Sequence, residues 1–300
     1  MEGESNFFAI LNRGNWKNMI KLSSTSALVL LWLQQECFST KTALEYLNQL
    51  DMEEGEILYE QCHAICPYYS EVIKNRKFGV LNSVKKYFDE NPRHRQLVIA
   101  AAGLDALGIE ITELYPVVKV FELDSENMNI KSDLLSAIGG GQKRNIKFIQ
   151  TNLLDYSGVR ENLITNGWDP AEPTLLIFEG ISYYLTVEST QKLFEIINPQ
   201  RIVLEFLKHD DDIAFDRVAI PKKVFRKIAE LCTLPDILQY KSNELDKHFR
   251  PYTIIDKYGM TRLEKMRTGA NKYFPSESSG WIDICVLEYY NKGRNKLESH

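Results

Sequence analysis

The sequence predicts an α/β fold: a mostly parallel seven-stranded sheet, preceded by an N-terminal helical cap and carrying inserted lid helices after the fifth strand. Three observations carry this. Five short apolar runs follow one another between Gln96 and Leu207, and the gaps between them hold plausible helices. That alternation builds a parallel sheet covered on both faces. Residues 1–95 read as helical, and after Leu207 the rhythm breaks into a polar loop and short helical patterns. The chain has 300 residues, 44% hydrophobic and 26% charged. That suits one large domain, or a core with attachments, and excludes disordered, collagen-like and low-complexity classes.

In the N-terminal part, Ser23-Ser24-Thr25-Ser26 offers an N-cap before Ala27–Leu33. Ser39-Thr40 offers a second before Ala43-Leu44 and Tyr46-Leu47. A third helix is expected from about Gly79 to Phe88, with Val80, Leu81, Val84 and Phe88 on one face, ending near Asn91-Pro92. The five apolar runs, read as strands, are 96–102, 117–124, 146–150, 174–178 and 201–207, the third of them after the breaker Gly139-Gly140-Gly141. Helices are expected at 105–114, 125–138, 155–166 and 186–197. Beyond Leu207, Lys222–Leu231 and Asn243–Phe249 read as lid helices. Met260–Met266 and Ile282–Tyr289 read as a terminal hairpin on the sheet edge. The expected division is a cap over 1–95 and a core over 96–300, with the lid at about 208–255.

An open parallel sheet binds ligands beyond the carboxyl ends of its strands, near the reversal of strand order. Four such ends are informative. Gly103, after strand one, lets backbone approach a ligand, and equally fits a plain strand-to-helix turn. The single glycine there disfavours a dinucleotide, whose fingerprint needs three. Asp124 ends strand two, 21 positions beyond Gly103; it suits a ribose, or an acidic cap for the next helix. Asn152 and Leu153 follow strand three, where an amide fits an adenine edge, or a helix cap with Asp155 the better capper. Glu179-Gly180 follows the buried strand four, and a carboxylate there needs a specific partner.

Together these segments resemble the leucine carboxyl methyltransferase family of S-adenosylmethionine (SAM) enzymes, in particular its bacterial branch that O-methylates small molecules such as natural products. The resemblance rests on Arg76-Lys77-Phe78-Gly79-Val80 with Lys85 and Phe88, on Leu97–Ala106, on Phe121-Glu122-Leu123-Asp124, and on Glu179-Gly180 through Tyr184-Leu185. It implies a Rossmann-like class I methyltransferase core with SAM as cofactor and S-adenosylhomocysteine as product. It also implies roles: Arg76 for the methionine carboxylate, Gly103 for passage of the cofactor, Asp124 for the ribose, Asn152 and Leu153 for the adenine, Glu179 near the methionyl amine, Asp105 in support. The chain departs from the family in having Ala101 where glycine is common and Asn152 where aspartate is common. A lysine that some members use in the N-terminal helices has no alignable position, so Lys41 is not assigned that role.

The chemistry narrows the acceptor. A carboxylate is ionised at neutral pH and needs no base, whereas a hydroxyl usually does. Of the histidines His63, His94, His209, His248 and His300, only His209 falls past a strand end, where it equally fits an exposed loop beside Asp210-Asp211-Asp212. Those aspartates fit a solvated turn better than a metal site. Tyr183, Tyr184 and Phe206 are the aromatics expected nearest the transferred methyl, so Tyr184 and His209 are the catalytic candidates. Phe215, Val218, Phe225, Leu234, Ile237, Leu238, Tyr240, Phe249 and Tyr252 are candidates for core or acceptor pocket. The expected reaction is methylation of a carboxylate on a small-molecule acceptor. The alternatives are a hydroxyl acceptor or a non-catalytic SAM-binding domain.

The net charge of −5 argues against a nucleic-acid partner. The apolar run Ala27–Leu33 is too short to span a membrane. The five scattered cysteines and the lack of an export signal predict a reducing, cytoplasmic setting. Cys62 and Cys66 resemble half a metal site, but no second Cys/His pair completes it, so buried thiols in a helix are expected and no metal. No pattern specifies an oligomeric state.

Overall fold

The computed structural model describes residues 19–34, 36–138, 145–232 and 236–290. It opens with β1 (Ile20–Lys21), α1 (Ser24–Leu33), α2 (Lys41–Leu47), β2 (Leu50–Asp51), α3 (Glu53–Ile65) and α4 (Tyr69–Glu90). β1 and β2 form a small parallel pair. The alternating part runs β3 (Gln96–Ala100), α5 (Leu107–Leu114), β4 (Lys119–Asp124), α6 (Met128–Ile138), β5 (Ile146–Gln150), α7 (Tyr156–Thr165), β6 (Thr174–Phe178), α8 (Val187–Ile197) and β7 (Arg201–Leu207). It closes with α9 (Ala219–Ala229), α10 (Leu245–His248), β8 (Tyr252–Tyr258), α11 (Met260–Thr268) and β9 (Ile282–Tyr289).

The seven-stranded sheet has the order β5-β4-β3-β6-β7-β9-β8. All neighbours are parallel except β9, which runs antiparallel between β7 and β8. β3 lies at the centre of the five parallel strands, and the chain winds outward from it in both directions. Its five residues are all buried. Leu97 and Ile99 enter one core, Val98 and Ala100 the other, as the two-residue period of a strand requires.

α4 packs across the sheet on the Leu97 side, its apolar stripe including Tyr69, Val72, Ile73, Val80, Val84 and Phe88. A Cβ on Gly79 would stand 2.6 Å from Ile284 Cδ1 and 2.8 Å from Leu263 Cδ2, so glycine allows the close approach. The helix ends at Asn91, ahead of Pro92, and Asn91 Nδ2 donates to the Tyr87 carbonyl at 2.8 Å. α1 docks on α3, where a Cβ on Gly55 would meet Ala27 Cβ at 2.6 Å.

Several expectations are corrected. Met260–Met266 is helical, not a strand: Met260, Leu263 and Met266 recur every three residues, and the first two are buried while Met266 is exposed. The partner of β9 at the sheet edge is Tyr252–Tyr258. α4 begins ten residues before the expected Gly79. α5 and α6 start at Leu107 and Met128, two and three residues later than expected. Cys62 and Cys66 are buried free thiols, in and at the end of α3. The Gly139–Gly141 run, Leu234 and His300 lie outside the described residues.

Candidate active site

Strand order reverses at β3, between β4 and β6, and the crevice beyond their carboxyl ends is the expected ligand position. A cavity of about 250 Å³ lies there. Its floor is Ala101–Asp105 after β3 and Glu179-Gly180 after β6. One wall is Arg76 and Lys77 of α4, and Thr25, Ser26, Val29 and Leu30 of α1 cover it.

The loop after β3 is tightly specified. Ala101 and Gly103 both have φ of 53°. For alanine the left-handed region costs roughly 1–2 kcal/mol. The Gly103 N–H donates to Asp124 Oδ2 at 2.8 Å, joining the loops after β3 and β4. A Cβ on Gly103 would meet nothing within 4 Å, so the glycine serves the backbone and leaves open space beside it. Tyr46 of α2 donates its hydroxyl to the Leu104 carbonyl at 3.0 Å. Lys131 of α6 donates to the carbonyls of Gly103 at 3.1 Å and Asp105 at 2.5 Å, and pairs with Glu122 at 2.5 Å.

Arg76 and Lys77 are charges set within the apolar stripe of α4, 5% and 2% exposed. Arg76 Nε donates to Glu179 Oε1 at 3.1 Å. Lys77 Nζ donates to Glu179 Oε2 at 2.7 Å and stands 2.9 Å from Asp105 Oδ2. Glu205, inside β7, accepts the Gly180 N–H, and its Oε2 is 4.0 Å from Arg76 Nη1. Burial alone would raise Asp105, but the Lys77 ammonium, Lys131 and the Leu107 N–H together hold its carboxyl below the ordinary range. For Glu205 burial prevails over Arg76 and the Gly180 N–H, so its carboxyl sits above the ordinary range. Glu122 is likewise raised by burial, in spite of Lys131.

Of the residues expected at the site, Arg76, Gly103, Asp105 and Glu179 line the cavity together. Asp124 stands behind Gly103, and its Oδ1 accepts the Glu126 N–H at 3.2 Å; α6 starts beyond it, so it does not cap that helix. Asn152 and Leu153 lie outside the cavity lining. Asn152 is exposed, its Oδ1 accepting the Leu154 N–H at 2.9 Å, and Asp155 is the residue that caps α7. Tyr184 is half-buried beyond Gly180, edge-on to Tyr183 and to Phe225 of α9, with centroids 4.7 Å and 6.3 Å apart. His209 caps a short turn over Asp210–Asp212, its Nδ1 accepting the Asp211 N–H at 3.2 Å, and does not line the cavity.

Phe206 is fully buried in the core on the opposite face of the sheet, together with Tyr240, Phe249 and Tyr252, so these four are packing residues. Phe225 and Ile237 instead line a groove with Leu207 and Pro221. Sequence reasoning assigned no role to Lys77 or Glu205. The readable signal was a charge inside an apolar pattern: two adjacent cations on a core-facing helical stripe, and a glutamate amid Arg201–Leu207.

Comparison with known proteins gives a consistent result. The model of the family described as leucine carboxyl methyltransferase matches residues 36–198. A protein of Mycolicibacterium smegmatis, assigned by name to the S-adenosyl-L-methionine-dependent methyltransferases, is 34% identical over 119 residues, 37% of this chain and 36% of its own length. A similarly named protein of Mycobacterium avium is 30% identical over 155 residues, 47% of this chain and 50% of its own. The chain thus spans between a third and a half of the length of these curated relatives. The crystal structure of a DUF574 family protein from Streptomyces avermitilis superposes with a TM-score of 0.64 at 9% identity, covering 89% of this chain and 98% of that one. A protein of Thermobifida fusca assigned to the methyltransferases gives 0.62 at 12% identity, covering 85% and 97%. At these identities the two structures establish the shared fold.

Proposed function

The chain belongs to the leucine carboxyl methyltransferase family, and from that premise we propose that it is a SAM-dependent O-methyltransferase forming a methyl ester on a small-molecule carboxylate. The observation that carries the proposal is the buried Arg76–Lys77–Glu179–Asp105 cluster at the reversal of strand order.

The residues present fit the cofactor. Arg76 offers a guanidinium fork for the methionine carboxylate. Glu179 offers carboxylate oxygens for the ammonium. Asp124 accepts the Gly103 N–H at Oδ2 and the Glu126 N–H at Oδ1, and each carboxylate oxygen keeps a second acceptor position for a ribose hydroxyl. Open space at Gly103 leaves room for the ligand to pass the backbone. When bound, SAM supplies an electrophilic methyl on a positively charged sulfur.

This chain's own part is then positioning and exclusion of water. Lys77 and Arg76 hold Glu179 from two sides, so the acid cannot swing. Tyr183, Tyr184 and Phe225 form an aromatic wall beyond Gly180, on which an acceptor would rest. A carboxylate acceptor, with a pKa near ~4, arrives ionised and asks for no proton transfer. This agrees with a cavity lining that has no histidine among the described residues and with His209 turned into its own loop.

The first experiment is thermal unfolding with S-adenosylhomocysteine, with NAD as control. A ligand at 100 times its Kd adds roughly 2.7 kcal/mol. The shift should appear with the homocysteine ligand alone and vanish in Arg76→Ala and Asp124→Ala. Transfer of a labelled methyl group to a panel of acids and alcohols then tests the acceptor. A product that releases methanol in mild alkali is an ester. An alkali-stable product that also disappears in His209→Ala would move the assignment to a hydroxyl acceptor. Cofactor binding without turnover across the panel would make this a non-catalytic SAM-binding domain.

A further inference from the structure

Building on the cofactor reading above, we infer that Glu205 biases this cavity toward the positively charged sulfonium cofactor over its neutral thioether product. The argument is a count of buried charge. Arg76, Lys77 and Lys131 face Asp105, Glu122, Glu179 and Glu205. Lys131 is taken by Glu122 at 2.5 Å, Lys77 by Glu179 and Asp105 at 2.7 and 2.9 Å, and Arg76 Nε by Glu179 at 3.1 Å. Arg76 is thus shared between Glu179 and Glu205, and with four carboxylates facing three cations the cluster keeps one surplus negative charge, which Glu205 completes. Glu205 is fully buried, and its Oε2 is 4.0 Å from the nearest guanidinium nitrogen. Its Oε1 has no hydrogen-bond partner among the described residues. The Gly180 N–H fixes it directly beneath the cavity floor.

The two ligands share a carboxylate and an ammonium, so those groups do not distinguish them. They differ by one positive charge, at sulfur. A surplus buried carboxylate therefore acts on the difference alone. At an effective dielectric of about 20 and a separation of about 10 Å, one such charge changes relative affinity by roughly tenfold.

The groups facing Glu205 are Arg76 and Lys77 from α4, Glu179 from the end of β6, and Tyr183 and Tyr184 from the following turn. Burial sets its carboxyl above the ordinary range. As pH falls it takes up a proton, the surplus charge disappears, and the preference shrinks. Between pH 5 and 7 the ligands' own ammonium groups, with pKa values near ~8, stay charged and do not contribute.

The test is calorimetric titration of SAM and S-adenosylhomocysteine into wild type and Glu205→Gln at pH 7 and pH 5. Glutamine keeps an acceptor for the Gly180 N–H. The expected result is a roughly tenfold loss of the SAM-to-product affinity ratio in Glu205→Gln at pH 7, chiefly through weaker SAM binding. Wild type at pH 5 should move toward the variant. An unchanged ratio, or equal weakening of both ligands, would overturn the inference. So would a pH dependence that persists in the variant, which would place the charge at Glu122. If Glu205→Gln does not fold, Glu122→Gln is titrated at pH 7 instead: an affinity ratio kept at the wild-type value supports the inference, and a ratio lost there places the charge at Glu122 and overturns it. Wild type binding neither ligand would remove the cofactor reading and this inference together.

Discussion

Replacing Lys77 with methionine fills the same volume on α4 but removes a cation that Asp105 and Glu179 share. Both carboxylates are largely enclosed, with side-chain exposures of 17% and 8%. Breaking a buried pair from one side costs about 3–5 kcal/mol, because the remaining charge keeps its desolvation penalty. Unfolding entropy of about 2.1 cal/mol/K per residue gives roughly 0.6 kcal/mol/K for a chain of this length. The expected fall in Tm is therefore about 5–8 °C at pH 7, read by circular dichroism or calorimetry. The pH course adds a second check. Asp105 is held below its unfolded value, near ~3.9, so its stabilisation is fully present above that value and is lost as pH falls through the depressed folded one. The gap between wild type and Lys77→Met should hold at neutral pH and narrow below about pH 4. A variant that melts within about 2 °C of wild type, or a gap unchanged down to pH 3, would refute the idea that this ion cluster stabilises the fold.

Other expectations follow from the same geometry. Ala101→Gly relieves a left-handed alanine at a cost in chain entropy, so stability should rise by no more than about 1 kcal/mol. The same change removes a methyl from the cavity lining, and S-adenosylhomocysteine should bind at least as tightly; weaker binding would mean that the methyl is a contact and not an obstruction. Gly79→Ala forces a methyl onto Ile284 and Leu263 and should destabilise by about 1–3 kcal/mol, with ligand affinity intact in the folded fraction. Unaltered thermal unfolding of that variant would show that α4 can retreat from the sheet.

The legible parts of the chain were those where one local force dominates. Gln96–Ala100, Thr174–Phe178 and Arg201–Leu207 are buried strands in short apolar runs and Ile146–Gln150 is a half-buried edge strand, and all four stand out against helices of a different period. Gly103 and Glu179 were legible as neighbours in one crevice because a parallel sheet places its strand ends at one edge, while Asp124, read the same way, stands behind Gly103 outside the cavity lining. What escaped was set by tertiary context. The first half of α4 reads as polar because Lys74, Asn75, Arg76 and Lys77 fill buried positions, where they meet partners distant in sequence. α3 buries only Gly55, Leu58 and Cys62, too sparse a stripe to announce a helix. The edge strand Tyr252–Tyr258 is half-polar and carries an irregularity between Ile254 and Asp256, so its alternation is broken. Met260–Met266 was misread because a short apolar pattern fits either period, and its burial decides which one is used.

The ion cluster also bears on how such a sequence can drift. Arg76 and Lys77 meet Glu179 across more than a hundred positions of chain, and Glu205 lies farther still. A single change of charge at Arg76, Lys77 or Glu179 leaves a bare ion in the interior. Lineages should then cross between alternative sets through paired replacements, with the sum of charges kept constant at each step. In related sequences, positions 76, 77, 105 and 179 should accordingly covary as a group, while the exposed Asn152 changes independently of them.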